Sequence, residues 1–380
     1  MTRTLIDIHI LQTVPPSNLN RDDTGSPKTA IYGGKRRARV SSQAWKRATR
    51  NEFDKLLDRA ELGERTKRLG ESLGELIAAQ APDLAEQKLD LATKALTALG
   101  LVKAGKAKAG KSKSDDGTIP AAESDYLVFL SHRQLDAIAA HAVAAHRDGK
   151  EPDGKTLKKL ANQEHSIDIA LFGRMLADLS DVNVDAAVQV AHAISVHAVN
   201  NEFDYYTAVD DRKDDANEQG AGMIGTVEFN SSTLYRYATL DVDRLNDNLG
   251  DQTATRRAVD AFLTAFAKSM PTGKQNTFAN RTLPDAVIVR LRDTQPINFV
   301  GAYEKVVEYD AATGRVSEAA ERLADYAAAV EDTYGEQPIR AWVSRVGDHT
   351  KALDTLGDVV PFADLVTAVA DEVAVRLGKE

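Results

Sequence analysis

Apolar positions along the chain first follow a period of two. Ile6, Ile8 and Ile10 fall on one face of Leu5–Thr13, which predicts a strand. A turn region follows, marked by Pro15, Pro16, Asn18, Asn20, Gly25 and Pro27. Ser41-Ser42 predicts a helix start, because a serine hydroxyl caps the free amides of a first turn. Behind it Trp45, Ala48, Phe53 and Leu56 recur at near-helical spacing, with Lys46, Arg47 and Arg50 on other faces. From about 61 to 165 the pattern is helical and rich in Ala, Leu, Glu and Lys. KAGKAKAGKSKSDDG (103–117) interrupts it; a Lys/Gly/Ser segment of that kind buries no core and reads as a mobile loop.

Strand patterns return at Ile167–Phe172 and in VQVAHAISVHAV (188–199). In the latter Val188, Val190, Ile194 and Val196 share one face, and Gln189, Ser195 and His197 the other, a half-buried alternation. Residues 200–224 are acidic and loop-like, and Val227–Val242 alternates again. A helix at about 253–269 carries Val259, Phe262, Leu263 and Phe266, and AVIVRLR (286–292) is a strand. The C-terminal segment 301–380 mixes two long helices with a short strand near Ile339–Val343. With 61–165 and 200–224 set aside, the order is strand, helix, strand, strand, helix, strand. That is the split βαβ order of an α+β, ferredoxin-like (RRM-like) domain. RNA-recognition modules share this topology, and their sheet and loops meet single strands, but fold alone does not fix function.

At 380 residues the chain has room for two or three domains, and 43% hydrophobic with 28% charged residues describes an ordinary soluble globular protein. The absence of cysteine excludes a disulfide framework, a thiolate zinc site, an iron–sulfur cluster and a cysteine nucleophile, and fits a reducing, cytoplasmic compartment. Asp7 and His9 make the first apolar stretch too polar for a signal-peptide core, and no run is long enough to span a membrane.

The net charge of −9 hides an asymmetry. Residues 1–50 hold ten basic residues against three acids, and between Lys28 and Arg50 there are eight cations and no anion. Such a field attracts a polyanion locally, while the acidic remainder limits indiscriminate binding; a solvated basic face is the alternative. NRDD (20–23) and GGKRRARVSSQAWKR (33–47) add a glycine pair that lets backbone approach a ligand, and a Ser-Ser-Gln helix start. These are parts for holding phosphates, at a spacing that is neither a Walker loop nor a dinucleotide fingerprint. Cations spread over more than twenty residues suit an extended strand better than a mononucleotide.

NRDD, GGKRR and SSQAWKRATR in this order resemble the CasC family, the multicopy crRNA-binding backbone subunit of the type I-E CRISPR Cascade complex. The resemblance continues through DIALFGRM (168–175), VAHAISVHAV (190–199), DYYTAVDD (204–211), GTVEFNSSTLYRYA (225–238) and PTGKQNTFA (271–279). It implies a non-catalytic, cofactor-free subunit that coats the spacer of a guide RNA and presents it for pairing with target DNA in antiviral defence. The partners it implies are guide RNA, target DNA through the guide, further copies of the chain in a helical filament, and other Cascade subunits, with no membrane. The resemblance spans residues 1 to about 290 and implies a palm at 1–60 and 166–300, a helical finger at 61–165 and a thumb hairpin at about 200–224; beyond it, 301–380 reads as a C-terminal α/β extension packing on the palm.

Residues matching family contacts place Lys28, Ser41, Gln43, Lys46 and Arg50 on the guide backbone, with Arg21, Arg36 and Arg47 as additions. Tyr205-Tyr206-Thr207 sits in an acidic loop, where adjacent aromatics are either buried or stacked on bases. The resemblance makes Tyr206 and Thr207 a thumb tip wedged between guide bases. The surrounding acids (Glu202, Asp204, Asp210, Asp211, Asp214 and Asp215) then complement a neighbour's basic groove. Lys150, Lys155, Lys158 and Lys159 lie close together on or beside a helix, as solvated charge or, by the resemblance, as contacts to incoming duplex DNA. Gly273-Lys274-Gln275-Asn276 is a glycine turn that caps the preceding helix, with RNA contact through Lys274 the other reading.

Enzyme signals are thin. The histidines are scattered, and no metal-protease, nucleophile-elbow or EF-hand motif is present. Asp22-Asp23 is the one acidic pair beside the basic segment. The competing function is a metal-dependent endoribonuclease of related fold using Asp22 and Asp23, and the competing local reading is an Asx turn.

Overall fold

The computed structural model describes residues 3–102, 123–124, 127–176, 179–208 and 223–378. The 103–117 segment therefore lies outside the described residues. In chain order the first half runs β1 (Leu5–Ser17), β2 (Thr29–Tyr32), β3 (Lys35–Val40), α1 (Ser42–Phe53), β4 (Gly63–Thr66), α2 (Leu69–Gln80), α3 (Lys88–Leu99), β5 (Val128–Ser131), α4 (His132–Arg147), α5 (Gly154–Ala161) and α6 (Ile167–Phe172). The second half runs β6 (Val188–Val190), β7 (Ala193–Ser195), β8 (Glu202–Ala208), β9 (Met223–Asp241), α7 (Val242–Leu249), α8 (Gln252–Lys268), α9 (Gln275–Phe278), β10 (Ala286–Arg292), α10 (Gly314–Tyr334), β11 (Arg340–Arg345), β12 (Asp358–Val359) and α11 (Phe362–Leu377). Two compact units result: 1–52 with 189–242 and 259–380, and 53–188 with 243–258.

The first unit is built on a large mixed sheet ordered β12-β11-β10-β1-β9-β7-β3-β2, with β6 and β8 also on β9. Its centre, β10-β1-β9-β7, is antiparallel throughout. β1 forms as expected from Ile6, Ile8 and Ile10, and it is buried on both faces from Thr4 to Gln12. On the isoleucine face Ile10 registers with Arg236. The Arg236 guanidinium lies 3.7 Å from the Trp45 ring centre of α1 and 4.6 Å from Phe266 of α8, and donates to Gln12 Oε1.

Asp7, His9 and Leu11 occupy the other face, beside Tyr235, Tyr237, Arg290 and Arg292. The chain from Phe299 onward covers it: Phe299, Tyr303, Ala319, Leu323, Val343 and Leu353 pack with Leu11, Tyr235 and Ile288 in one apolar cluster. His9 stacks on Phe299 at 4.6 Å, and burial holds its imidazole pKa well below the usual value. Arg292 Nε donates to Asp7 Oδ2 (2.9 Å) and its Nη2 to Glu331 Oε1 (2.6 Å), while Arg290 also pairs with Glu331. Tyr237 and the Ile297 amide donate to the same Asp7 carboxylate.

In the second unit α2 to α5 enclose an apolar core that includes Leu69, Leu73, Ile77, Leu96, Ile138 and Leu157. Buried Arg174 donates to the Val182, Phe129 and Ala161 carbonyls and to Gln134 Oε1. Ile167–Phe172, expected as a strand, is helix α6. A short run buried all round carries no period that separates the two, and the Asp168 carboxylate, accepting from the Ser166 hydroxyl and the Gly63 amide, organises its first turn. Residues 188–199 are likewise two short strands rather than one. Ser195 and His197 are buried, because the Ser195 hydroxyl accepts from the Ala38 amide and donates to the His197 carbonyl.

Replacing Arg292 with Met should lower unfolding stability by roughly 3–5 kcal/mol, because two buried carboxylates lose a partner. Replacing exposed Arg68, paired with Glu71, with Met should leave the unfolding midpoint nearly unchanged. Urea unfolding of both variants checks the contrast, and equal effects would discount the buried network. A pH effect follows from half-buried His165, whose imidazole burial, aided by the Arg174 charge, lowers to a pKa of about 4. The unfolded chain protonates this group near 6.5, so its contribution is complete above that pH and is lost as pH falls toward 4. His165→Gln should therefore lose less melting temperature than the parent between about pH 7 and about pH 4.5. Parallel curves would count against the assignment.

Candidate nucleic-acid interface

Three segments of the first unit converge on one open groove of about 820 Å³: the 19–25 loop, the first turns of α1 and the 270–274 turn. Asn20 fastens the loop to the helix start, since its Oδ1 accepts from the Ser41 amide and its carbonyl from the Lys28 amide. Ser41 caps α1 weakly, with its hydroxyl 3.3 Å from the Ala44 amide. The far wall approaches so closely that a Cβ on Gly273 would sit 2.3 Å from the Leu19 carbonyl oxygen and 2.6 Å from that of Asn18. Gly273 therefore does not cap α8, which ends at Lys268; it lets the 270–274 turn close on the loop.

Arg21, Ser41, Gln43, Arg47 and Lys274 line this groove together, with Asn20, Asn51 and Thr272 between them and the acidic pair Asp22-Asp23 on the same lining. Gln43, Arg47 and Asn51 are successive i, i+4 positions of α1, which puts them on one stripe. Arg21, Arg47 and Lys274 have no ion-pair partner among the described residues. An adjoining pocket contains Lys28 and Arg39 and shares Leu19 and Asn20 with the groove. Lys46 and Arg50 occupy the next stripe of α1 and do not line the groove. Partial burial of Lys46 lowers its ammonium pKa below the ordinary lysine value. Arg36 is exposed on β3 and donates to the Thr29 hydroxyl.

Two features of the basic segment turn inward. Arg37 is fully buried and donates to the carbonyls of Ser195, Tyr303 and Glu304 at 2.8–3.1 Å, so it belongs to the fold rather than to a basic face. Gly33, expected to admit a ligand, instead abuts Glu304, whose carbonyl oxygen would lie 1.8 Å from an added Cβ. Asp22 is an Asx turn: its Oδ1 accepts from the Thr24 hydroxyl and from the Thr24 and Ser26 amides. The Thr24 hydroxyl, foremost, draws its pKa below the usual carboxylate value.

β8 and β9 form a hairpin in which Tyr206 registers with Gly225 and Tyr205 with Thr226. Tyr205 and Tyr206 are exposed, so burial on the sheet is excluded. The Tyr206 ring lies over Gly225, where an added Cβ would come within 2.4 Å of it, so the glycine makes room for the aromatic. Thr207 is exposed beside it, as are Glu202, Asp204 and the aromatic Phe203, which sequence reading missed. Asp210, Asp211, Asp214 and Asp215 lie outside the described residues. In the second unit, Lys155 and Lys159 are exposed on α5, Lys158 pairs with Asp181 and Lys150 with Asp148.

The α+β fold has counterparts among solved structures. One chain of a "CRISPR RNA-guided surveillance complex, pre-nicking" aligns with a TM-score of 0.82 and 35% identity, over 97% of this chain and 100% of that one. A second, of a "CRISPR RNA-guided surveillance complex", gives 0.72 and 31%, over 97% and 99%. The model of the CT1975-like protein family matches residues 6–368, and the chain belongs to that family. Comparison with curated proteins returns no match. The CasC-like character read from the motifs agrees with these findings.

Proposed function

We propose that the chain is a non-catalytic backbone subunit of a type I-E Cascade complex that coats the spacer of a guide RNA and presents it to target DNA. The observation that carries this reading is the convergence of Arg21, Arg47 and Lys274, without ion partners among the described residues, on a groove whose other polar groups are hydroxyls, amides and the Asp22 and Asp23 carboxylates, the first of which is engaged in its own Asx turn. Cations, hydroxyls and amides grip phosphates without reading bases, and sequence then comes from pairing by the guide. The order β10-β1-β9-β7, with α1 and α8 between strands, supports an RRM-like palm at 1–60 and 166–300. In this reading the 61–165 helices are the finger, the β8–β9 hairpin the thumb, and 301–380 the extension on the palm.

Unlike the sheet-face mode of many RNA-recognition modules, the strand here is held by loops and α1. The rings of His9, Tyr235 and Tyr237 that a bare sheet would offer are buried under Phe299 and Tyr303. Lys28, Arg36, Lys46 and Arg50 extend the cationic track beyond the groove, and Tyr206 with Thr207 wedge between guide bases. Lys150, Lys155, Lys158 and Lys159 meet incoming duplex DNA. Copies of the chain follow one another along the guide beside other Cascade subunits, in the cytoplasm. No helix among the described residues is long and apolar enough to cross a membrane. The Asx turn formed by Asp22 favours a structural role for that pair over a nuclease site.

Purified chain should carry RNA of uniform length, seen as excess absorbance at 260 nm, and that RNA should survive incubation with Mg²⁺ or Mn²⁺. RNA-free protein would sink the subunit assignment; metal-dependent cleavage lost on Asp22→Ala or Asp23→Ala would convert it to an endoribonuclease. Changing Lys46 and Arg50 together to Ala should flatten the log affinity against log salt plot for single-stranded RNA by about 1.4, at roughly 0.7 per phosphate contact. The loss should be the same for every guide sequence. An unchanged slope would leave those two cations as solvated surface.

A further inference from the structure

β9 pairs with β1 from Asn230 onward; its first part, Met223–Phe229, pairs with β8. The register of β1 against β9 slips just before this junction, between Val14 and Ser17. A two-stranded ribbon has little stability of its own, so its direction depends on what holds its root. Two contacts reach that root from the segments that wall the groove. On the loop side Asn18 is fully buried, and its Nδ2 donates to the Gly25 carbonyl (2.9 Å) and to the Glu228 carbonyl of β9 (2.9 Å). Its Oδ1 has no partner among the described residues, so the two carbonyls orient the amide. On the other side Phe278 of α9, just past the 270–274 turn, meets Phe229 of β9 with 5.7 Å between ring centres. Gly273 of that turn is pressed on the Asn18 carbonyl, which joins the two sides. Tyr206 stands farther out on the same ribbon, opposite Gly225.

We infer that Asn18 is a positioning residue that stiffens the root of the β8–β9 hairpin, so that groove and hairpin hold one RNA strand as a linked pair. This rests on the RNA reading above and adds to it a coupling that neither the groove nor the aromatic supplies. When two binding elements share a ligand, the second contact forms at an effective concentration set by the stiffness and span of what joins them. A root fixed by Asn18 keeps Tyr206 at a set distance from a strand seated in the groove. A loose root spreads the ribbon over many directions and dilutes that contact. Asn18 is uncharged and does not line the groove, so its contribution to affinity appears when the hairpin also engages the strand. A residue that merely supports the 19–25 loop would matter equally with and without that engagement.

The test is a double-mutant cycle on the full chain, with a single-stranded RNA short enough to bind one copy, titrated across salt. Asn18→Ala should lower affinity by about threefold to tenfold while keeping the parent salt slope, since no cation is removed. In a Tyr206→Ala background the same change should cost less than about twofold. Phe278→Ala loosens the root from the other side through a partly exposed ring and should repeat the pattern. Urea unfolding confirms that each variant is folded, and Phe278→Ala decides the outcome if Asn18→Ala is not. An equal loss with and without Tyr206, no loss in the folded variant, or a reduced salt slope would each overturn the inference. A Tyr206→Ala chain that binds like the parent, or a parent whose RNA binding ignores salt, would instead overturn the RNA reading on which it rests.

Discussion

The Asp7 carboxylate at the centre of the sheet is the constraint around which the first unit is arranged. It is fully buried on the middle strand, and an ionised group there is costly unless paired and hydrogen-bonded. Arg292 from β10, the Tyr237 hydroxyl from β9 and the Ile297 amide supply that satisfaction, and Glu331 of α10 neutralises the guanidiniums of Arg290 and Arg292. The network therefore needs β1, β9, β10 and α10 at once. It ties the C-terminal extension to the first strand of the chain, and it fixes which face that extension covers.

Covering that face has a functional consequence. Many RNA-recognition modules leave one sheet face open for bases. Here the aromatic and imidazole rings at the matching central positions are packed under Phe299 and Tyr303, and burial keeps His9 neutral. The open concave surface lies instead at the end of the sheet, where the 19–25 loop, the start of α1 and the 270–274 turn meet. Loops positioned by a rigid scaffold suit that task, and close backbone contact at Gly273 gives the groove a defined width. The same C-terminal layer braces the basic hairpin, because Arg37 donates to Tyr303 and Glu304 and Tyr32 donates to Val300.

Much of this is legible in the residue pattern, and the failures have physical causes. β1, α1, α8 and β10 announce themselves through period and caps, and Arg21, Ser41, Gln43 and Arg47, grouped by the motifs, do line one groove. Ile167–Phe172 looks like a strand because burial on every side erases the period that distinguishes a helix. The cover on Asp7 and His9 is invisible in sequence, since polar residues on a strand look solvent-facing until partners from the far end of the chain are in place. The Gly33 signal is real, but its close approach is to Glu304. Lys274, left-handed at φ 50°, leaves no local trace, because backbone strain has no composition signature.

Counting cations along a sequence therefore overstates a binding surface, and the structure shows the correction. Arg37, Arg174, Arg236, Arg290 and Arg292 are all buried, each with carbonyl, amide, carboxylate or aromatic partners that replace water. The planar guanidinium suits this use, since its fork of donors can satisfy several fixed acceptors at once. Arginines that have found such acceptors are committed to the fold, and a phosphate would have to outcompete partners already at hydrogen-bond distance. Arg21, Arg47 and Lys274 have no ion partner of that kind among the described residues, and they stand on a concave surface. A bound phosphate there would gain charge-assisted hydrogen bonds without breaking an internal ion pair. Charge identifies where a polyanion is attracted; cations without an internal ion pair identify where it can stay.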